Sequence, residues 1–207
     1  MSRFSEEDRE RIRTELVEAG RELFTQHGFD RTRIHDVTEA VGIGTSTFYQ
    51  FFDSKESLYA EVLRGERDRL ESRLEEAVAA ADSPKAEIRA LLETMFEEVH
   101  ANPLISRLIV EGELRELQRQ LSASERRSIA ETDRARALTN AERWAAMEEF
   151  RYDDPELIRG LFRSLIFVTR SRDALIGADH AAPYEDVEDR LIETLVDGLF
   201  VEPDEEA

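Results

Sequence analysis

Residues 32–55 carry the pattern that most restricts the fold of this chain. Ile34, Val37 and Val41 recur at three- and four-residue spacing, which places them on one face of a short helix. Gly42 follows where that helix must end, because a residue without Cβ readily adopts the left-handed conformation common at helix ends. The pattern predicts a short helix, a tight reversal at Gly42 and a second helix.

The second helix is expected over about residues 45–51, with Phe48 and Phe52 buried. Thr32 is the expected N-cap of the first helix. Two helices joined by a short glycine turn describe a helix-turn-helix, whose second helix fits the DNA major groove. Such corners also occur in helical proteins that never bind DNA, so a purely architectural role is the alternative. The expected outward face is uncharged and forms hydrogen bonds: Thr45, Ser46, Thr47, Tyr49 and Gln50.

The wider pattern resembles the DNA-binding domain of the TetR family of transcriptional regulators. The resemblance covers about the first 62 residues, and its most specific parts are the Gly-Ile corner, the Thr-Phe-Tyr that follows and the Phe-Asp-Ser-Lys-Glu after it. The residues that carry it are Ala19, Leu23, Phe24, Gly28, Phe29, Thr32, Ile34, Val37, Gly42, Ile43, Thr47, Phe48, Tyr49, Phe52, Ser54, Lys55, Glu56 and Leu58.

Three positions depart from the family pattern. Gly44 stands where the family usually has a capping Ser, Ser46 where it usually has Gly, and Thr38 where it usually has Ala. Glycine is an acceptable N-cap, so the second helix is still expected to form. Ser46 adds a hydroxyl where the family's backbone approaches DNA, so the family's base preferences do not transfer to this chain.

The resemblance implies an all-α protein with a three-helix N-terminal helix-turn-helix domain and a C-terminal helical domain for ligand binding and dimerisation. The expected divisions are residues 1–54 for DNA binding, 55–81 for a connecting helix, 82–201 for the second domain and 202–207 for an acidic tail. Apolar spacing and capping residues predict helices over about 6–26, 55–81, 84–102, 104–110 and 129–150, with two more after Asp154 and Pro183. Gly28 is expected to end the first helix, and Ser54 and Asp154 are expected N-caps.

The expected partner is double-stranded DNA, bound at a pseudo-palindromic operator by a homodimer. Thr45, Thr47, Tyr49 and Gln50 are expected to meet base edges or phosphates, with Ser46 beside them. Arg33 and Lys55 are the cations expected on the phosphate backbone. Lys55 lies in the first turn of its helix, where a cation opposes the helix dipole unless an anion binds there, and the alternative is a solvated surface lysine.

Two C-terminal helices have apolar faces wider than one contact surface needs, which favours pairing with a second copy as a four-helix bundle. In the resembled family this is the dimer interface, and the alternative is that both faces are internal core. The expected interface residues are Leu161, Leu165, Val168, Leu191, Leu195 and Leu199.

A mostly apolar cavity for a small-molecule effector is expected in the second domain, with no cofactor and no metal. Aromatic and methionine residues at helical spacing are also typical of plain core, which is the alternative for this set. The candidate lining residues are Met95, Phe96, His100, Trp144, Met147, Phe162 and Phe167.

Other classes of function lack a supporting pattern. The chain has no cysteine, and its four histidines fall on different predicted segments. No phosphate loop or nucleophile motif is present, so an enzyme is not expected. The sequence shows no signal peptide and no apolar run of membrane-spanning length, so a cytoplasmic protein without a membrane partner is expected. The alternative function is a helical protein-protein interaction module without DNA binding.

The charge is unusual for a DNA-binding protein, because the formal net charge is −19. Lys55 and Lys85 are the only lysines, and the other 26 basic residues are arginines. Excess acid with almost no lysine is typical of halophiles that keep molar salt in the cytoplasm, where a Debye length of about 3 Å screens self-repulsion. The alternative is an ordinary acidic protein.

A halophilic protein is expected to gain stability as KCl is added, because screening removes repulsion among its carboxylates. We expect the free energy of unfolding, measured by chemical denaturation with urea, to rise between 0.1 and 2 M KCl. Equal stability at both concentrations would contradict the halophile hypothesis.

Overall fold

The computed structural model describes residues 5–107, 139–168 and 183–201. All regular elements in these ranges are helices, which confirms the predicted all-α class. The helices are α1 (Glu6–Arg31), α2 (Ile34–Val41), α3 (Thr45–Phe48), α4 (Lys55–Ala80), α5 (Pro84–Ala101), α6 (Pro103–Ser106), α7 (Thr139–Ala145), α8 (Pro155–Val168) and α9 (Tyr184–Leu199).

The described residues form two compact units. Unit 1 contains residues 5–69 and 102–107, and unit 2 contains residues 70–101, 139–168 and 183–201. Helix α4 therefore contributes residues to both units. These units describe packing, and the domain boundaries expected from the sequence remain a prediction.

The core of unit 1 is apolar and aromatic. Leu16, Phe24, Val37 and Leu58 are fully buried. The Tyr59 ring lies 4.7 Å from Phe24 in an edge-on contact. Aromatic pairs of this kind add to the free energy gained by removing apolar surface from water. This core gives α2 and α3 a fixed base.

The expected helix ends are confirmed at several points. Gly28, expected to end the first helix, breaks the helical backbone with φ 78°, which a residue without Cβ adopts at little cost, but α1 continues beyond it to Arg31. The Ser57 amide donates to Ser54 Oγ over 3.1 Å at the start of α4. The Glu156 amide donates to Asp154 Oδ1 over 2.9 Å at the start of α8. These caps satisfy amide groups that the helices themselves leave unpaired.

Two expectations about helix ends are wrong. Thr32 does not cap α2, because its buried hydroxyl donates to Gly28 O over 2.8 Å and the N-cap is Arg33. The helix expected over 129–150 ends at Ala145, and its first ten residues lie outside the described ranges. Phe150 instead forms an antiparallel bridge with Phe200, their rings 5.2 Å apart. A helical spacing of apolar residues does not show where the chain leaves the helix to pack.

The core of unit 2 gathers residues from α5, α7, α8 and α9. Its fully buried members include Ile88, Trp144, Ile158 and Val196. The Trp144 indole N–H donates to Glu87 Oε2 over 2.9 Å, so its polar edge is paired. The hydrogen bond from Arg143 to the same carboxylate lowers the pKa of Glu87.

A buried carboxylate joins three segments of unit 1. Glu66 Oε1 accepts from Arg21 Nε and from Arg69 Nη1, each over 2.5 Å, and Oε2 accepts from Asn102 Nδ2. The Glu66 side chain is 1% exposed. Asn102 Oδ1 also accepts from the Leu104 amide at the start of α6 over 3.0 Å. Glu66 therefore links α1, α4 and the start of α6.

We expect Glu66→Gln to destabilise the protein by about 2 kcal/mol, because two arginines lose a buried anionic partner. Burial acts to raise the pKa of Glu66, but hydrogen bonds from Arg21 and Asn102 outweigh it and the pKa is lowered. This stabilisation is therefore complete above the unfolded pKa of about 4.3 and is lost as pH falls through the lower folded value.

Urea denaturation between pH 7 and pH 3 tests this contribution. The stability difference between wild type and Glu66→Gln should shrink toward the acid end. Glu18→Gln is the matched control, because Glu18 bonds the same Arg69 but is 49% exposed, and its effect should stay below about 1 kcal/mol. A difference that does not change with pH would refute the linkage.

Candidate nucleic-acid interface

The corner between α2 and α3 is built on Gly42. This residue has φ 74° and ψ 29°, the left-handed conformation expected from the sequence. The Gly42 amide donates to Glu39 O over 3.1 Å, and the Ile43 amide donates to Thr38 O over 3.0 Å. This pair of bonds closes the end of α2 in the Schellman arrangement and turns the chain toward α3.

Helix α3 is shorter than expected. Gly44 is its N-cap, as the sequence predicts, and accepts from the Thr47 amide over 2.8 Å. The α-helix ends at Phe48, not at Phe51, because the following amides bond three residues back: Gln50 to Thr47 O over 3.0 Å and Phe51 to Phe48 O over 2.9 Å. These bonds are of the 3-10 type, so the backbone there is wound more tightly than in an α-helix.

The two faces of this segment differ as the sequence predicts. Phe48 is fully buried and Phe52 is 5% exposed. Tyr49 is 55% exposed, and its ring meets the Phe48 ring edge-on at 5.4 Å. Of the remaining residues, Thr47 is half-buried and the exposed ones are Thr45, Ser46 and Gln50. The outer face of the corner therefore presents hydroxyl, amide and phenol groups.

The two cations expected to contact phosphates, Arg33 and Lys55, differ in their surroundings. Arg33 is exposed at the start of α2. Lys55 lies over the Phe29 ring, its Nζ 4.0 Å from the centroid, and donates to Phe29 O over 2.8 Å and to Thr32 O over 3.1 Å. An ammonium has three N–H groups, so one remains for a phosphate. Lys55 thus also stabilises the connection between α1 and α2.

Two arginines beside the corner were missed by the sequence reasoning. Arg9 Nη2 donates to Gln50 O over 3.4 Å, and its guanidinium lies 5.2 Å from the Phe51 centroid. Arg13 Nη1 donates to Phe51 O over 3.4 Å and also pairs with Glu61. Their one-turn spacing on α1 was visible, but nothing in the sequence showed that this face meets the turn after α3.

Comparison with known proteins identifies this part of the chain. Residues 16–62 match the family described as bacterial regulatory proteins, tetR family. The chain carries a TetR-type helix-turn-helix domain. The match spans most of α1, all of α2 and α3 and the first turns of α4, so it contains the Gly42 corner and the exposed polar face of α3.

Known regulators match part of this chain in sequence. The transcriptional repressor KstR2 of Rhodococcus jostii is 38% identical over 90 residues, which are 44% of this chain and 44% of that protein. KstR2 of Mycobacterium tuberculosis is 31% identical over 96 residues, 45% of this chain and 48% of the relative. The matches thus span less than half the length of these relatives.

Solved structures resemble nearly the whole chain. A TetR-family transcriptional regulator from Pectobacterium atrosepticum has a TM-score of 0.69 at 18% identity, covering 97% of this chain and 100% of that one. The ketosteroid transcriptional regulator KstR2 of Mycobacterium tuberculosis has a TM-score of 0.57 at 23% identity, covering 92% and 95%. At these identities the likeness establishes the fold alone.

Unit 2 contains a cavity of about 220 Å³, and two of the expected pocket residues, Trp144 and Phe162, line it. Phe96 is buried in the core, and His100 lies against α9, its Nε2 3.5 Å from Glu188 Oε2. Met95 and Met147 are not among the lining residues. The side chain of Phe167 lies outside the described part.

The residues expected at a dimer interface divide into two groups. Leu165 and Leu199 are 8% and 0% exposed and belong to the core of unit 2. Leu161, Leu191 and Leu195 are half-buried at the edge of that core. The side chain of Val168 lies outside the described part.

Metal-binding clusters and membrane-spanning helices are both absent from the described ranges. Within residues 5–107, 139–168 and 183–201, no group of three or more His, Cys, Asp or Glu residues is placed to hold a metal ion. The helices of the same ranges include none with the length and apolar content to cross a membrane.

We expect Gly42→Ala to destabilise the TetR-type domain by about 1 kcal/mol, because a side chain disfavours the positive φ at this position. Gly65→Ala is the matched control, since Gly65 lies inside α4 with open space around an added Cβ. It should stabilise by about 0.5–1 kcal/mol. Thermal unfolding measures both, and a stabilising Gly42→Ala would contradict the role of the corner.

Proposed function

We propose that this protein is a ligand-responsive transcriptional repressor that binds a palindromic operator as a homodimer. The observation that carries the proposal is the TetR-type corner, which buries Phe48 and exposes uncharged hydrogen-bonding groups on the other face. The sequence similarity to KstR2 repressors supports repression over other modes of regulation. The protein would act in the cytoplasm, where its operator lies.

The proposed reading surface consists of α3 and the turn that follows. Small hydroxyl and amide side chains reach base edges without holding the backbone away from the groove. Tyr49 is the most exposed aromatic of the corner, and its ring rests edge-on against the buried Phe48. The residues proposed to meet bases or phosphates are Thr45, Ser46, Thr47, Tyr49 and Gln50.

The proposed phosphate contacts are Arg9 and Arg33, together with the third N–H of Lys55. Arg9 is the strongest addition, because its hydrogen bond goes to a carbonyl and no carboxylate of the described residues pairs with its guanidinium. Arg11, two residues away, is instead paired with Glu15 and Asp8. Within the acidic chain, Arg9, Arg33 and Lys55 would supply the attraction to the DNA backbone.

The proposed homodimer would join α8 and α9 of two copies in a four-helix bundle. Leu161, Leu191 and Leu195 are half-buried in one copy, and Leu157 is 45% exposed. Leu165 and Leu199 support these helices from the core instead of entering the interface. Two-fold symmetry would present one α3 per subunit to half-sites one helical turn apart.

The proposed domains are residues 1–54 for DNA binding, 55–81 as a connecting helix and 82–201 for effector binding and dimerisation. An effector that prefers one spacing of the two α3 helices would shift the population between bound and released states. No cofactor is proposed. The small number of lysines keeps a halophilic source as part of the proposal.

Two substitutions separate base reading from phosphate contact. We expect Tyr49→Ala to lower specific affinity by at least tenfold and to change nonspecific binding little, because it removes a groove contact. Arg9→Gln should weaken both kinds of binding and reduce the salt slope by about one unit, because it removes one phosphate contact. Fluorescence anisotropy with the DNA flanking the gene, titrated against KCl, measures both.

Arg11→Gln is the matched control for Arg9→Gln, being on the same helix but paired with carboxylates. It should leave affinity and slope unchanged. Lys55 is unsuitable for this test, because its loss would also remove two bonds to the backbone. If the wild-type protein binds DNA without sequence preference and a stable protein partner is recovered in a pull-down, an interaction module is favoured over the proposed repressor.

A further inference from the structure

The cavity of unit 2 has an apolar wall and a polar wall. Leu74, Leu91, Trp144 and Phe162 supply the apolar part, with the Trp144 and Phe162 rings meeting edge-on at 5.8 Å. The volume of about 220 Å³ lies below the range of about 300–1,000 Å³ typical of drug-sized ligands. A ligand that fits is therefore compact, with one or two rings.

Arg159 lines the same cavity and has an unsatisfied group. Its side chain is 13% exposed, and Nη2 donates to Glu156 Oε1 over 2.7 Å. Nη1 is buried and has no hydrogen-bond partner among the described residues. A buried donor without a partner costs free energy. A ligand that brings an acceptor to Nη1 therefore gains binding free energy beyond that from its apolar contacts.

The charges around the cavity restrict that acceptor. Glu71 and Glu75 line it together with Arg159. A carboxylate ligand would accept from Arg159 but would be repelled by two glutamates. An ammonium ligand would be attracted by those glutamates but has no acceptor for Arg159 Nη1. A carbonyl oxygen accepts the hydrogen bond without bringing a net charge, so the need for an acceptor together with the two glutamates favours an uncharged ligand.

We propose that this cavity binds a compact, uncharged cyclic compound whose carbonyl oxygen accepts a hydrogen bond from Arg159. The inference rests on the proposed function, in which the second domain binds an effector, and it names the chemical class of that effector. Trp144 and Phe162 hold the ring, and Arg159 selects the carbonyl.

Trp144 gives a direct readout, because it is the only tryptophan in the chain and its indole N–H is already bound to Glu87. Four cyclohexane derivatives of similar shape serve as probes: cyclohexyl methyl ketone, cyclohexanecarboxylate, cyclohexylmethylamine and ethylcyclohexane. The ketone absorbs weakly in the tryptophan band and quenches indole by collision, so the response of N-acetyltryptophanamide to each probe is subtracted. We expect the ketone to change the fluorescence at the lowest concentration, with about tenfold tighter binding than ethylcyclohexane.

Arg159→Met should weaken ketone binding by about tenfold and leave ethylcyclohexane binding unchanged, which also shows that the variant is folded. Arg159→Lys retains a donor and should recover part of the difference. Arg190→Met is the matched control, since Arg190 is exposed on α9, pairs with Glu193 and does not line the cavity. It should behave as wild type toward all four probes.

Several results would overturn the proposal. Tighter binding of the carboxylate or the amine than of the ketone would refute the charge argument. A ketone affinity that Arg159→Met does not change, or no fluorescence response to any probe, would refute the assigned site. Operator binding is measured on the same preparation without probe: if it is intact, only this inference fails, whereas its absence refutes the proposed repressor.

Discussion

The reversal of the backbone at Gly42 is the constraint on which the candidate DNA-reading surface depends. Two amide-to-carbonyl bonds end α2, and the positive φ at Gly42 turns the chain so that α3 starts at Gly44. Phe48 then enters the core, which obliges Tyr49 and the hydroxyl-bearing residues to face outward. One backbone conformation thus decides which side chains are available to a partner, and the corner needs no charged residue to do so.

Charge near the corner is arranged by packing contacts. Lys55 donates two N–H groups to the carbonyls of Phe29 and Thr32, near the connection between α1 and α2. Arg9 and Arg13 donate to carbonyls just after α3. Lys55 and Arg9 are also among the proposed phosphate contacts, so each of them serves both the fold and the proposed attraction to DNA. This matters in a chain whose formal net charge is −19, because basic residues are outnumbered by acidic ones.

Unit 2 combines a well-packed core with a buried hydrogen-bond donor, Arg159 Nη1, that lacks an acceptor among the described residues. Trp144 is buried with its indole N–H paired, but Arg159 Nη1, beside the same cavity, has no partner in the described part of the chain. Native proteins rarely leave buried donors unpaired, so each one that remains calls for an explanation such as a bound water, ion or ligand. The contrast between these two neighbours of the cavity is the physical basis for assigning it a ligand.

The sequence by itself determined the helical class, the Gly42 corner, the caps at Ser54 and Asp154 and the exposed polar face of α3, because these follow from local spacing and backbone preference. It did not determine that Thr32 bonds inward or that Phe150 leaves its helix to pair with Phe200. Nor did it bring Arg9 to the turn after α3 or Arg159 to the cavity. These outcomes depend on contacts between residues distant in the chain, and only the tertiary packing of helix faces decides which of many similar arginines and phenylalanines meet.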